Sequence, residues 1–253
     1  MLFGVSIDNK KILTDRPLSS DYLEIGAAGL NKLDRAELSS LESAVNDGTV
    51  KLSCANRLFP KDIRLTGDVN WDTVRDHCER TFYNLARLKV ETVVFGSGKA
   101  KAVPEGFSRE KAWDQLYTLG ALLADEGKKY GQTVVVEPLS FDEVNIVNMT
   151  DEAADYCRTV NRDNFGLLID FYHFDNNNDD WAVLDKVKDI LYHTHIASPK
   201  LRSFFETDTD WAFCEKCIDA LKNIGYQGAM SFEGRQYDSE RLSETFDRMR
   251  AML

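Results

Sequence analysis

Short runs of β-branched or aromatic residues alternate with amphipathic stretches along this chain, and that alternation limits its fold more than any other feature. Eight runs read as strands: Leu2–Ile7, Tyr22–Gly26, Lys51–Asn56, Thr92–Phe95, Thr133–Glu137, Phe165–Asp170, Ile190–Ile196 and Ala229–Glu233. Helical patterns separate nearly all of them. Trp71, Val74, Cys78, Phe82 and Leu85 make one apolar stripe, and Ala112, Leu116, Leu119 and Leu123 another behind a cap at Ser108. Residues 34–47, 150–160, 180–188, 210–223 and 238–252 complete the set, with Thr150 and Asp210 read as caps. Between the first two strands the chain is short and contains Pro17, so no full helix is expected there. Strands joined through helices run parallel. Eight such units in 253 residues predict an α/β fold, the (β/α)8 or TIM barrel, as a single domain over residues 1–253. An open doubly wound sheet would often show a glycine-rich phosphate loop after its first strand, and GVSIDNK has a single glycine.

Charge narrows the partners. The net charge of −11 repels phosphate backbones and anionic lipid, so neither nucleic acid nor a membrane surface is expected as a partner. No stretch of about 18 apolar residues is present, and MLFGVSIDNKK lacks the basic start of a signal peptide, so the expected location is the cytoplasm. Five scattered cysteines then read as free thiols. The single CxxC, Cys214 to Cys217, has no second pair to complete a zinc site, and Cys214 falls on the apolar stripe of Trp211, Ile218 and Leu221. Asp175 to Asp180 lacks the turn glycine and final glutamate of a calcium loop and reads as a solvated loop.

Chemistry gathers at the ends of the last four strands. The fifth ends at Glu137, the sixth at Asp170 with His173 three residues on, the seventh carries His193 and His195, and the eighth ends at Glu233. In a barrel these ends face one mouth. Three carboxylates and an imidazole converging there would repel or protonate unless a cation sat among them. The mixed oxygen and nitrogen set suits Mn²⁺, Mg²⁺ or Co²⁺, with Zn²⁺ as a further candidate. His193 and His195 share a face, which puts His193 one layer deeper as a hydrogen-bonded core histidine. His77, beside Cys78 on a helix, reads as an ordinary surface residue. Glu24, Asn56 and Ser97 lie at or just past early strand ends and are substrate-contact candidates.

The segments FGSGKAKAVPEGFSRE (95–110), VVVEPLS (134–140), LLIDFYH (167–173), HTHIA (193–197) and SFEGR (231–235) resemble the xylose isomerase-like barrel superfamily of sugar isomerases and epimerases. Glu137 and Asp170 are 33 residues apart and Asp170 and His195 are 25 apart, similar to the epimerase pattern. The resemblance implies Glu137, Asp170, His195 and Glu233 as metal ligands, with Mn²⁺ first among the ions, and Glu137 and Glu233 as the acid/base pair. It implies His173 as a contact to a substrate hydroxyl and Arg202 as a substrate arginine, although the 197–209 loop lacks the glycines common in relatives. Glu24, in DYLEIG, resembles the strand-two glutamate of relatives. Such relatives are often dimers or tetramers, and a homo-oligomer and a monomer both stay open.

The implied activity is isomerisation or epimerisation of a small sugar or sugar phosphate, by removal of a proton next to a carbonyl through a metal-stabilised enediolate. Two carboxylates flanking the reacting carbon allow one to take the proton and the other to return one to the opposite face. An alternative is dehydration of a cyclic polyol by the same groups, as in inosose dehydratases. A non-catalytic carbohydrate-binding barrel is the third class. A zinc-cluster nuclease on this barrel needs more than four histidines and a basic face.

Overall fold

The computed structural model describes residues 1–253. Its strands are β1 (Leu2–Ile7), β2 (Tyr22–Gly26), β3 (Leu52–Asn56), β4 (Thr92–Phe95), β5 (Thr133–Val136), β6 (Phe165–Asp170), β7 (Leu191–Ile196) and β8 (Ala229–Phe232). All are parallel and close into a barrel in chain order, with β8 pairing back onto β1. Each strand agrees with its expected run to within one residue at either end. The longer helices are α2 (Arg35–Asn46), α3 (Trp71–Arg87), α5 (Arg109–Lys128), α6 (Thr150–Val160), α9 (Asp208–Asn223) and α10 (Ser239–Arg250). Short helices α1 (Ala27–Leu30), α4 (Gly98–Lys101), α7 (Phe171–Asn176) and α8 (Val183–Val187) follow strand ends or cover them. Residues 8–21 form turns, as Pro17 required.

Two helix starts differ from expectation. Thr150 is the first residue of α6, and its N–H is taken by Asp179 from the neighbouring loop, 2.8 Å away. That loop, expected to be merely solvated, is tied down further by Asn177, which donates to the Leu139 and Asn148 carbonyls. The cap of α9 is Thr207, and Asp210 sits three residues in, completing a reciprocal capping box. The partner of Thr150 lies 29 residues away, beyond the reach of local sequence, whereas the Thr207–Asp210 pair is itself a local motif.

Strand parity divides the interior. Val93, Phe95, Val134, Val136, Leu167 and Ile169 face the helices and join the main apolar core, while Val94, Val135 and Leu168 pack separately inside the barrel. The lumen is therefore apolar along β4 to β6. Along β7, β8, β2 and β3 the lumen instead holds His193, Ser231, Glu24 and Cys54, all buried and in contact with one another. One layer above, toward the C-terminal ends, stand Glu137, Asp170, His195 and Glu233. Cys54, Cys78, Cys157, Cys214 and Cys217 are all buried and unpaired. No helix is long and apolar enough to cross a membrane.

Candidate functional site

Glu137, Asp170, His195 and Glu233 each offer one ligand atom, and these four atoms all lie within 4.8 Å of one another. Local structure aims each one. One Asp170 oxygen caps α7 by accepting the Tyr172 N–H at 2.9 Å, which turns the other into the mouth. Glu137 follows the last residue of β5, and its N–H pairs with the Phe95 carbonyl at 3.2 Å. Its Oε2 lies over Gly96, where a Cβ would come within 2.1 Å of it, so a side chain at position 96 would displace the carboxylate. Glu233 is held by Asn56, whose amide donates 2.9 Å to Oε1 and 2.7 Å to Ser6.

His195 uses its two nitrogens for different neighbours. Nδ1 faces the mouth, 3.2 Å from Glu137 and 3.1 Å from Glu233. Nε2 points down at the Glu24 carboxylate, 3.0 and 3.2 Å from its two oxygens. A carboxylate accepting from Nε2–H fixes the tautomer and leaves the Nδ1 lone pair for a cation, the arrangement that supports metal-bound histidines. Glu24, expected to meet substrate, is wholly buried and placed one layer below the mouth. Asn56 is likewise committed to Glu233, Ser6 and Arg57. Burial below the mouth takes Glu24 from substrate, and the Asn56 amide is already engaged on both sides.

Electrostatics tests whether a cation fits. Burial alone would lower the His195 pKa, yet the Glu24, Glu233 and Glu137 carboxylates hold it well above the imidazole range. Burial raises the carboxyl of Glu233, but protonated His195 and then Arg202 outweigh it and bring it down to about 2. Burial also raises Asp170, against the pull of Arg202. The protein alone thus balances its three acids with a proton on His195 and with the Arg202 guanidinium, 3.2 Å from Asp170 and 2.8 Å from Glu233. A divalent ion supplies the same positive charge, and the donor set suits one. The residues present fit a metal.

The remaining predicted residues also border the mouth. His173 accepts the Ser140 N–H at Nδ1, so its hydrogen is on Nε2, and burial keeps the ring neutral by lowering its pKa. That buried Nε2 has no hydrogen-bond partner in the protein; Asp170 is 3.6 Å away. A donor left unmatched beside a cavity is suited to a ligand oxygen. Arg202 takes a left-handed conformation (φ 48°), the one a glycine would adopt easily, which explains how this loop turns without glycines. Ser97 lines the same cavity, but its hydroxyl is engaged by the Phe59 N–H at 3.0 Å.

Two residues escaped the sequence reading. His77 is buried and bonds the Leu58 carbonyl through Nε2 at 2.8 Å, so it is not a surface residue. Its helix stripe was legible, but Leu58, nineteen residues away in sequence, was not a foreseeable partner. Lys101 is fully buried beside the site, with Nζ 3.2 Å from the Glu137 carbonyl and 5.5 Å from the Phe95 ring centre. Burial depresses its pKa to about 8, with Glu137 opposing. The only local sign was a lysine flanked by Ala100 and Ala102.

Residues 20–252 match the family model described as xylose isomerase-like TIM barrel. Among curated proteins, an inosose isomerase of Bacillus licheniformis is 30% identical over 120 residues, covering 44% of this chain and 43% of that protein. A ketose 3-epimerase of Arthrobacter globiformis is 31% identical over 116 residues, covering 44% and 38%. These matches span less than half the length of either relative. Among solved structures, D-psicose 3-epimerase from Clostridium cellulolyticum H10 superposes with a TM-score of 0.77 at 15% identity, covering 98% of this chain and 89% of that one. The 3-keto-D-glucoside 4-epimerase from E. coli gives 0.76 at 17%, covering 100% and 98%. The IOLI protein, whose structure has a zinc atom, gives 0.70 at 19%, covering 100% and 96%. By the extent of the family match, this chain belongs to the xylose isomerase-like TIM barrel family.

Proposed function

We propose that this protein is a divalent-metal-dependent isomerase or epimerase of small sugars or sugar phosphates. The observation that carries the reading is the convergence of four donor atoms within 4.8 Å at the barrel mouth, two of them from carboxylates on strands far apart in the ring. The curated inosose isomerase and ketose 3-epimerase agree in kind. Glu137, Asp170, His195 and Glu233 would hold the ion, Mn²⁺ first among the candidates. When bound, it would supply Lewis acidity to a carbonyl and its neighbouring hydroxyl.

The chain's own groups do the rest. Glu137 and Glu233 exchange the proton next to the carbonyl: one carboxylate removes it and the other returns one. Asn56 holds Glu233, and the narrow space over Gly96 holds Glu137, so neither needs to reorganise. His173 donates Nε2–H to a substrate hydroxyl, and Arg202 offers a second contact at the rim. Glu24 keeps His195 in the tautomer that presents Nδ1.

The test is solvent deuterium exchange into a panel of ketoses and ketose phosphates, with and without Mn²⁺, followed by mass. Metal-dependent exchange next to the carbonyl in at least one substrate is expected. Metal-dependent loss of water from a cyclic polyol with no exchange into any ketose would move the protein to the dehydratases. Absence of stoichiometric metal binding would overturn the reading altogether.

A further inference from the structure

The cavity at the mouth, about 840 Å³, extends from the four-donor cluster over the C-terminal ends of β1 to β4. The charge of that extension runs against the chain's net −11. Lys10, Lys32, Arg57, Lys61 and Lys99 line it, and none forms a salt bridge. Its acids are Asp8, Glu37 and Asp62, and two of these already accept backbone hydrogens, Asp8 from Lys10 and Glu37 from Asp34.

Exposed lysines alone would say little; Arg57 is exposed as they are, but its guanidinium is seated. Arg57 follows β3 in a left-handed conformation (φ 51°) that a non-glycine residue adopts at a cost, and its carbonyl is fixed by the Ala28 N–H at 3.1 Å. Its guanidinium lies across Gly26, where a Cβ would be 2.9 Å from Nη2, so the bare glycine makes the seat. Nε donates 3.3 Å to Asn56, which in turn donates 2.9 Å to Glu233. Nη1 and Nη2 have no hydrogen bond to the protein, and Arg57 lines the cavity. One amide therefore separates a planar cation with free paired donors from the carboxylate proposed to move protons.

We propose that this arm is an anion subsite, anchored by Arg57, and that the substrate is a ketose carrying a phosphate ester or carboxylate at the end remote from the reacting carbon. The ketose part rests on the function proposed above; the anion part stands on the arm alone. A guanidinium whose Nη1–Nη2 edge is free suits either oxyanion in bidentate fashion. The surrounding lysines raise the local concentration of anions in an otherwise acidic protein.

Calorimetric titration of the metal-loaded protein with D-fructose, D-fructose 6-phosphate and D-fructuronate tests the subsite and separates the two anion sources. At low ionic strength at least one anionic ketose should bind ten-fold or more tightly than fructose, with the advantage shrinking as salt rises. Arg57→Ala should erase most of that advantage, Arg57→Lys should restore part, and Lys32→Ala should reduce it two- to three-fold. Inorganic phosphate should raise the melting temperature of the wild type and not of Arg57→Ala. Equal binding of all three sugars, binding of none, or an advantage that survives Arg57→Ala overturns the subsite. Arg57-dependent anion preference without deuterium exchange into any ketose would keep the subsite and sink the isomerase reading; exchange into fructose without anion preference would do the reverse.

Discussion

Two layers of the barrel lumen hold clusters of metal-ligating residues, and they differ in how their polar atoms are satisfied. In the lower layer Glu24, Cys54 and His193 lie within 4.8 Å, all buried. Most of their groups are matched within the protein, and Glu24 Oε1, which has no hydrogen bond, sits 3.0 Å from His195 Nε2. The Tyr22 hydroxyl meets Ser231 at 2.8 Å, Ser231 donates to Glu24 at 2.5 Å, and His193 sets Nε2 on Glu24 and Nδ1 toward Cys54 at 3.9 Å. Cys54 and Glu24 thus engage opposite nitrogens of one ring, which is poor geometry for one ion. Burial and the Glu24 charge also keep the Cys54 thiol protonated. In the upper layer three carboxylates face one another, with only His195 and Arg202 to balance them. Two histidines attend the single carboxylate of the lower layer, whereas three carboxylates share one histidine and one arginine in the upper one.

The largest expected effect follows from that difference. Glu137→Gln and Glu233→Gln each keep shape and remove a base, so each should cut deuterium exchange by about 10²–10⁴-fold while the fold persists. Retained exchange in both variants would dissociate the upper layer from the chemistry. Metal analysis should find one ion per chain, and Cys54→Ala should leave that number at one. Two ions in the wild type, falling to one in Cys54→Ala, would make the lower layer a second metal site.

Next in size is the coupling between layers. Glu24→Gln weakens the acceptor for His195 Nε2–H without touching the mouth, and should reduce Mn²⁺ affinity by about 10–100-fold. Unchanged affinity in a calorimetric titration would mean that the lower layer merely fills the lumen. Lys101 gives a smaller effect. Lys101→Met removes a buried charge and keeps an apolar chain over Phe95, so urea unfolding should show stability unchanged or raised by about 1–2 kcal/mol. Lys101→Ala leaves a void and should lose about 2–4 kcal/mol. If both variants destabilise equally, the ammonium rather than its stem secures the Glu137 backbone.

The barrel was legible because strand and helix periods are local, and the convergence of Glu137, Asp170, His195 and Glu233 followed once strand ends were known to share a mouth. Residues whose partners lie far off in sequence were not. Glu24 reads as a strand-end residue until β7 places His195 and His193 above and beside it, 171 and 169 residues away. Asn56 looked free until the eighth strand brought Glu233 to its amide. Lys101 has no sequence pattern that marks it as buried, because its shelter comes from the β4 and β5 ends rather than from its own four-residue helix.

His77, on α3 outside the lumen, extends the contrast when set beside His195. Carboxylates surround His195 and raise its pKa, whereas His77 meets a neutral carbonyl, and burial lowers its pKa below 6.5 with only partial offset from that hydrogen bond. For a histidine so depressed, the unfolded chain takes up its proton first as the medium acidifies. The stabilising contribution is therefore complete above the unfolded value of about 6.5 and declines as pH falls through the folded value. His77→Gln keeps a side-chain donor for the Leu58 carbonyl and does not titrate. Its absolute stability should fall slightly through lost contact with the Phe59 ring, 5.0 Å away between centres. Its stability should then decline less steeply than the wild type's as pH drops from about 6.5, measured by urea midpoints at a series of pH values. Parallel slopes for the two proteins would show that the His77 site tolerates the imidazolium, and that burial beside a lone carbonyl is not enough to keep it neutral.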